Sequence, residues 1–278
     1  MSNVTGQDQQ KNMRRVAMTS LAGTSIEWYD FFLYATAAAV IFPQAFFPQE
    51  DPTTALLISF SSLAVGFLAR PLGGIVFGHF GDRIGRKRTL VVALMMMGVT
   101  TTLIGFLPTY ASIGIAAPLL LVALRFVQGL AIGGQWGGAM LLVTESAPAE
   151  RRGWYGAYAQ AGAPIGVVLA NLAFIGVSTS MSDEAFMEWG WRLPFIASIV
   201  LIGISMYIQL KIEDTDAFKS LSEAQKAADK PAAVVERSPV IEAIRKYPKR
   251  IMLAAGAFLS VQVTFYILIA FVISYGMQ

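Results

Sequence analysis

The stretch of sequence that decides the fold joins two long apolar runs, and it reads GHFGDRIGRKRTL over residues 78–90. The runs on either side are Ala55–Phe80 and Thr89–Leu107. An apolar helix needs about 20 residues to cross the hydrocarbon core of a bilayer, and both runs are close to that length. A short connection this rich in Arg and Lys predicts a surface loop that links two membrane helices.

Apolar runs of the same kind recur along the whole chain. The seven runs are Ala17–Phe42, Ala55–Phe80, Thr89–Leu107, Ala116–Val143, Trp154–Val177, Leu193–Leu210 and Ile251–Gly276. The composition agrees with them, because 55% of the residues are hydrophobic and only 14% are charged. A soluble domain is about 25% charged. The sequence therefore predicts an all-α, polytopic membrane protein whose solvent is largely the lipid bilayer.

Basic residues concentrate in alternate connections between the runs, and this pattern predicts the orientation of the protein. Lys and Arg fill the N-terminal tail, residues 83–88 and the segment 211–250, whereas Glu50 and Asp51 lie in an opposite connection. Because basic loops stay on the cytoplasmic side, we expect a cytoplasmic N-terminus in a bacterial cytoplasmic membrane. The net charge of +3 is too small to indicate nucleic-acid binding.

The segment 211–250 differs in composition from the apolar runs. Its charges are frequent and of both signs, and prolines interrupt it. We expect a cytoplasmic linker with short surface helices near Asp214–Ala228 and Pro239–Lys246. The predicted organisation is then a six-helix bundle over residues 1–210, the linker, and a seventh span over 251–278 that begins a truncated C-terminal bundle.

Two carboxylates lie inside the first apolar run. Glu27 and Asp30 share one helical face with Gly23 and Tyr34, and Asp30 is predicted to lie near the middle of the bilayer. Carboxylates one turn apart repel each other, which favours a proton on one of them. We therefore predict that Asp30 and Glu27 couple proton movement to transport. The alternative is that both are structural and paired with arginines.

Arginines inside the second and fourth runs are candidate partners for these carboxylates. Arg70 lies at a depth similar to that of Glu27, and a glycine stripe formed with Gly66, Gly74 and Gly78 predicts close helix packing around it. We expect Arg70 to form an ion pair rather than to bind substrate. Arg125 either binds an anionic substrate or tunes a carboxylate, because its planar fork matches carboxylate geometry.

Other polar residues within the runs are weaker candidates for a binding site. The predicted substrate-binding set is Arg125, Gln128, Tyr34, Gln160, Asn171 and Arg70. The amides of Gln160 and Asn171 either line the cavity or bridge helices. The single histidine, His79, is expected to be an interfacial packing residue. With no cysteine and one histidine, the sequence predicts neither a metal site nor a cofactor.

Two motifs resemble those of a known superfamily. The quoted stretch 78–90 resembles the loop between the second and third spans of the major facilitator superfamily, and Arg125–Gly129 (RFVQG) resembles its fourth-span motif. The resemblance implies an N-terminal six-helix bundle and a partner bundle after the linker. It also implies a gating motif on the cytoplasmic side. Its residues are Gly78, Asp82, Arg83, Gly85, Arg86, Glu145 and Arg151.

A narrower resemblance covers essentially the whole chain. The stretches GTSIEWYDFFLY (23–34), RPLGG (70–74), ESAPAERRG (145–153), WGWRLPF (189–195) and KIEDTDAF (211–218) are similar to those of the metabolite:proton symporter family. That family imports shikimate, 2-oxoglutarate, citrate and other carboxylates, and also proline and betaine. The resemblance implies that Glu27 and Asp30 are the coupling carboxylates, that Asp82 closes the cytoplasmic side, and that Arg86 and Glu145 form a charge relay.

These observations predict a secondary active transporter that carries a small organic acid, such as shikimate, into the cytoplasm together with protons. Uptake of a zwitterionic osmolyte such as proline or betaine is the alternative, and a membrane scaffold or channel fragment is the alternative from another class. An enzyme is not expected, because the sequence has no HExxH motif and no credible nucleophile–histidine pair. The expected partners are the substrate, protons, the bilayer and a C-terminal half.

Overall fold

The computed structural model describes residues 6–84, 86–210 and 245–276, and its regular structure within these ranges is helical. Seven long helices occupy the predicted spans. They are α1 (Gly6–Val40), α3 (Pro52–Ile84), α4 (Arg86–Gly105), α6 (Ala116–Ser146), α7 (Arg152–Ser178), α9 (Arg192–Leu210) and α10 (Pro248–Gly276). Short elements connect them: α2 (Phe42–Phe46), α5 (Tyr110–Ile113), a 3₁₀ turn (Ala149–Arg151), α8 (Asp183–Ala185) and a π-helical turn (Phe186–Gly190).

Three described stretches are long and apolar enough to cross a membrane. They are Pro52–Gly81, Ala116–Gly134 and Ala149–Ser178, and Val91–Gly105 is a shorter apolar helix. The all-helical membrane fold predicted from the sequence is therefore confirmed. The helix boundaries differ from the prediction mainly at the basic ends, where α1 begins at Gly6 instead of Ala17 and α3 continues to Ile84. An apolar run shows only the part of a helix that lies in lipid, so the polar ends of α1 and α3 were not predicted.

The chain divides into two compact units, Met1–Ala228 and Asp229–Gln278. The first unit contains α1 to α9, and the second contains α10. The predicted helix at 214–228 and residues 239–244 of the second predicted linker helix lie outside the described residues. The three-part division of the chain at residues 210 and 250 stays a prediction.

Aromatic rings pack together at one end of the first unit, and this end is the one opposite to residues 78–90. Phe42 and Phe46 of α2 pack edge-on against Trp191, and Phe195 of α9 stacks on Phe42. Tyr34 of α1 contacts the same cluster through Phe42, at a centroid distance of 5.1 Å. The cluster fixes the ends of α1 and α9 relative to each other and holds the Tyr34 ring in place.

Glycines bring two pairs of helices into direct backbone contact. A Cβ atom at Gly133 of α6 would overlap the backbone oxygen of Arg70 in α3, and one at Gly166 of α7 would lie 2.6 Å from the backbone oxygen of Ser25 in α1. The predicted close packing around Arg70 is confirmed for Gly66 and Gly74. For Gly78 it stays a prediction, because nothing described lies within 4 Å of a Cβ at that position and side chains of residues 82–87 and 135–142 lie outside the described part of the structure.

We expect Gly133→Ala to destabilise the protein, because the new methyl group has no space beside the Arg70 backbone. Overpacking of this kind costs about 1–3 kcal/mol. Thermal unfolding of the purified protein in detergent should show a lower Tm. Gly176→Ala is the matched control, since Gly176 is also helical but nothing lies within 4 Å of its Cβ position. Equal Tm values for the two variants would contradict the expectation.

Candidate functional site

Asp30 is the centre of a buried polar network between three helices. Its side chain is on α1 and is 2% exposed. Gln128 of α6 donates from Nε2 to Asp30 Oδ1 at 3.0 Å and to Oδ2 at 3.2 Å. Thr101 of α4 donates a hydrogen bond to Oδ1, and Nη1 of Arg125 is 3.8 Å from Oδ2. We call Asp30, Tyr34, Thr101, Arg125 and Gln128 the Asp30 cluster.

Arg125 is almost completely enclosed by this cluster. It is 1% exposed, its guanidinium lies 4.1 Å from the centre of the Tyr34 ring, and its Nη1 donates to Gln128 Oε1 at 3.1 Å. Its Nε is buried and has no hydrogen-bond partner among the described residues. Gly66 of α3 makes room for it, because a Cβ there would lie 2.8 Å from Nε. The arginine is thus held by one carboxylate, one amide and one aromatic face.

A second hydrogen-bond chain fixes the Tyr34 ring from the other side. The hydroxyl groups of Tyr34 and Ser62 are 2.7 Å apart, and Ser62 donates to the backbone oxygen of Ser59 at 2.5 Å. Ser59 in turn donates to the backbone oxygen of Ala38 at 2.7 Å. These bonds tie α3 to α1, so the aromatic face that receives Arg125 has a fixed position.

Glu27 has a different environment from Asp30, although both carboxylates are buried. Glu27 is 5% exposed, and its Oε2 has no hydrogen-bond partner among the described residues. Arg70 acts electrostatically on Glu27, and the ion pair between them stays a prediction. The Arg70 guanidinium also lies 4.5 Å from the centre of the Phe67 ring. Asp30 is therefore held by several hydrogen-bond donors, whereas Oε2 of Glu27 has none among the described residues.

The other predicted residues are either outside the Asp30 cluster or outside the described part of the structure. Gln160 and Asn171 are exposed on α7, and the Asn171 amide donates to the Val167 backbone oxygen of its own helix at 2.9 Å. Gly78 and Arg151 are exposed. Gly85 and the side chains of the other gating candidates are outside the described part of the structure. These are Asp82, Arg83, Arg86 and Glu145.

Three side chains of the hydrogen-bond system were not predicted from the sequence. Thr101 lies in the run Thr100-Thr101-Thr102 within an otherwise apolar span, and Ser59 and Ser62 lie in the second span. The polar run in the third span was the available signal. This run alone does not single out Thr101. All three threonines also donate to a backbone oxygen of their own helix.

The geometry of the Asp30 cluster makes its charge state mechanically important. A charge buried between membrane helices needs partners, and Asp30 has Arg125, Gln128 and Thr101. If a proton neutralises Asp30, the attraction across the 3.8 Å separation from Arg125 is removed, while the neutral hydrogen bonds stay. The arrangement can therefore convert binding of a proton into a weaker connection between α1 and α6.

Comparisons with known proteins identify the class of molecule. Residues 16–277 match the family described as "Sugar (and other) transporter". The inner membrane metabolite transport protein YhjE of Escherichia coli K12 is 46% identical over 94% of this chain and 58% of its own length. The shikimate transporter of the same organism is 44% identical over 95% of this chain and 59% of its own length. The proline/betaine transporter of Salmonella typhimurium LT2 is 33% identical over 99% and 55%.

The chain thus spans little more than half the length of these relatives. Among solved structures, the proton:xylose symporter XylE, a major facilitator superfamily protein, matches with a TM-score of 0.69. The match has 16% identity and covers 79% of this chain and 49% of XylE, so it shows the fold alone. The relatives are transporters, not enzymes, as the sequence predicted. The chain belongs to the sugar (and other) transporter family.

Proposed function

We propose that this chain supplies the N-terminal bundle of a proton-coupled symporter that carries a small organic acid into a bacterial cytoplasm. The observation that carries the proposal is the buried Asp30–Arg125 pair with Gln128 bridging it. In transporters built from two bundles, substrate binds between them near mid-membrane, and access alternates as one moves against the other. By "full-length transporter" we mean this bundle together with its C-terminal partner bundle.

In this mechanism the proton binds to Asp30 from the outer side and leaves toward the cytoplasm. The basic residues around 83–88 and the positive-inside rule support this direction, because they favour a cytoplasmic N-terminus. With Asp30 charged, Arg125 is held against it and α1 stays attached to α6. With Asp30 neutral, the attachment is weaker, which favours rearrangement of the bundle. Only the loaded carrier completes the cycle, so substrate follows the proton gradient.

The burial of the cluster divides the substrate-binding candidates into two groups. Arg125, Gln128 and Tyr34 are at most 1% exposed, so we assign them to coupling rather than to the first contact with substrate. Gln160 and Asn171 are exposed, and because they are eleven positions apart, about three turns, they share one face of α7. We propose that these amides, with the half-buried Arg70, make the first contacts with substrate.

Relative similarity favours an organic acid over a zwitterionic osmolyte. The shikimate transporter is 44% identical to this chain, whereas the proline/betaine transporter is 33% identical. Uptake of radiolabelled shikimate, 2-oxoglutarate, citrate, proline and glycine betaine by the full-length transporter in liposomes tests the choice. Saturable, uncoupler-sensitive uptake of an acid would support the proposal. Uptake of proline or betaine alone would favour the osmolyte, and flux without saturation or proton dependence would favour a channel.

Arg125→Lys is expected to reduce proton-driven uptake roughly tenfold or more, because a charged hydrogen bond is lost while the charge stays. A lysine ammonium is compact, so it cannot contact Asp30 and Gln128 and also lie flat on the Tyr34 ring. Initial rates in liposomes measure the effect. Arg245→Lys is the control, since Arg245 is exposed and belongs to no candidate site. Wild-type kinetics in Arg125→Lys would show that only the charge at this position matters.

A further inference from the structure

The Thr101 hydroxyl group has three hydrogen-bond partners but only one proton to donate. Its Oγ1 lies 2.8 Å from the backbone oxygen of Met97, 2.8 Å from Gln128 Nε2, and within hydrogen-bond distance of Asp30 Oδ1. A hydroxyl group has one proton to donate and two lone pairs to accept with. Gln128 Nε2 can only donate and the Met97 oxygen can only accept, so the direction of the Asp30 contact is not fixed by the other two.

Two complete arrangements satisfy these contacts, and they differ by one proton. When Asp30 is charged, Thr101 donates to Oδ1 and accepts from Gln128. When a proton is bound to Oδ1, Asp30 donates to Thr101, and Thr101 turns its own proton to the Met97 oxygen. One proton has been added, Thr101 keeps its proton, and no heavy atom needs to move. The Met97 oxygen is not left unpaired in the first arrangement, because Thr100 also donates to it at 2.8 Å.

We propose that the Thr101 hydroxyl is a two-position hydrogen-bond partner that holds Asp30 to α4 in both its charged and its protonated state. The inference rests on the proposed function, in which Asp30 takes up the coupled proton. Its consequence is directional. Protonation removes the ion pair with Arg125 of α6 but keeps the bond to Thr101 of α4, so the attachment of α1 to α6 becomes weaker while its attachment to α4 is kept. Thr101 is a positioning residue in this scheme.

The other charged and titratable groups around Asp30 cannot connect it to α4, so this connection depends on Thr101. The charged or titratable side chains that act on Asp30 are Arg125, Arg70, Glu27, Tyr29 and Tyr34. None of them is on α4, whose residues 89–105 include no titratable side chain. The connection between Asp30 and α4 therefore depends on a hydroxyl group, which stays neutral in both arrangements.

The test compares five variants of the full-length transporter by infrared difference spectroscopy between acidic and alkaline pH. Asp30→Asn identifies the carboxyl C=O band of protonated Asp30. Thr101→Val removes the hydroxyl at nearly constant shape, and Thr101→Ser keeps it. Thr102→Val is the matched control, because Thr102 is a buried neighbour whose hydroxyl donates to the Gly98 oxygen of its own helix. These spectra need no substrate.

We expect the Asp30 band to move to higher frequency in Thr101→Val, where the protonated carboxyl group has lost an acceptor, and to stay in place in Thr101→Ser and Thr102→Val. Proton-driven uptake of radiolabelled shikimate should fall roughly tenfold in Thr101→Val, as expected for loss of one hydrogen bond to a charged group. Thr101→Ala, with a different loss of packing, should give the same band shift.

An unchanged Asp30 band in folded Thr101→Val would overturn the inference and leave the proposed function intact. Absence of any band that depends on Asp30 would instead contradict the proposed function, because Asp30 would not titrate. If Thr101→Val and Thr101→Ala both fail to fold while Thr101→Ser folds, Thr101 has a structural role and the inference is again overturned. The two failures are therefore distinguishable.

Discussion

Asp30→Asn in the full-length transporter is expected to abolish proton-driven accumulation of substrate, while exchange of substrate across the membrane continues. An asparagine cannot carry the charge that holds Arg125 or take up a proton. Its amide can still interact with Gln128 and Thr101, so the variant resembles the neutral state of Asp30. A gradient of one pH unit corresponds to about 1.4 kcal/mol, which allows roughly tenfold accumulation per coupled proton. That accumulation should disappear.

The measurement uses liposomes with an imposed pH gradient for accumulation, and preloaded liposomes without a gradient for exchange. Asp51→Asn is the control, because Asp51 caps the start of α3 by accepting bonds from the backbone N–H groups of Thr53 and Thr54 at 3.1 Å. Hydrogen bonding, first of all from the Thr54 side chain, holds the pKa of Asp51 below its usual range, so Asp51 stays charged during the assay. An asparagine can replace it as a cap.

Glu27 provides the comparison that separates the two carboxylates. Its Oε2 lacks the hydrogen bonds that Asp30 receives, so Glu27→Gln removes a charge opposite Arg70 without breaking the Asp30 cluster. We expect accumulation to be reduced in this variant and lost in Asp30→Asn. Normal accumulation in both variants would contradict the assignment of coupling to the first span.

The sequence was sufficient to predict the spans and several members of the site. Long apolar runs interrupted by basic loops follow directly from the energetics of lipid, and the helices lie at the predicted positions. Asp30 and Arg125 attract attention for the same reason, since a charge at membrane depth needs a partner. Gln128 follows from Arg125, because it lies one turn further along α6.

Tertiary structure was needed for the rest of the Asp30 cluster. Thr100, Thr101 and Thr102 are chemically identical and differ only by rotation around α4, and the sequence does not say which one meets Asp30. The contrast between Glu27 and Asp30 is likewise invisible in sequence, because both are acidic residues on one face of a single helix. What distinguishes them is the number of donors that other helices bring to each.

The 278-residue chain reconstituted alone is expected not to accumulate substrate under the gradient that drives the full-length transporter. It spans 58% of YhjE and 59% of the shikimate transporter. Alternating access in this class is the motion of one bundle against another, with the substrate between them. In the isolated first unit, the exposed amides of Gln160 and Asn171 on α7 have no second bundle to face, and polar groups in contact with lipid are destabilising.

The experiment compares liposomes that contain the 278-residue chain alone with liposomes that contain the same chain co-purified with its C-terminal bundle as a separate polypeptide. If accumulation is restored only when the second polypeptide is present, the first bundle folds correctly and transport requires contact with the C-terminal bundle. Gel filtration before reconstitution identifies dimers of the chain, in which one copy replaces the absent bundle. Saturable, uncoupler-sensitive accumulation by the chain alone would show that one bundle, or its dimer, completes the transport cycle. The two-bundle mechanism would then not apply to this protein.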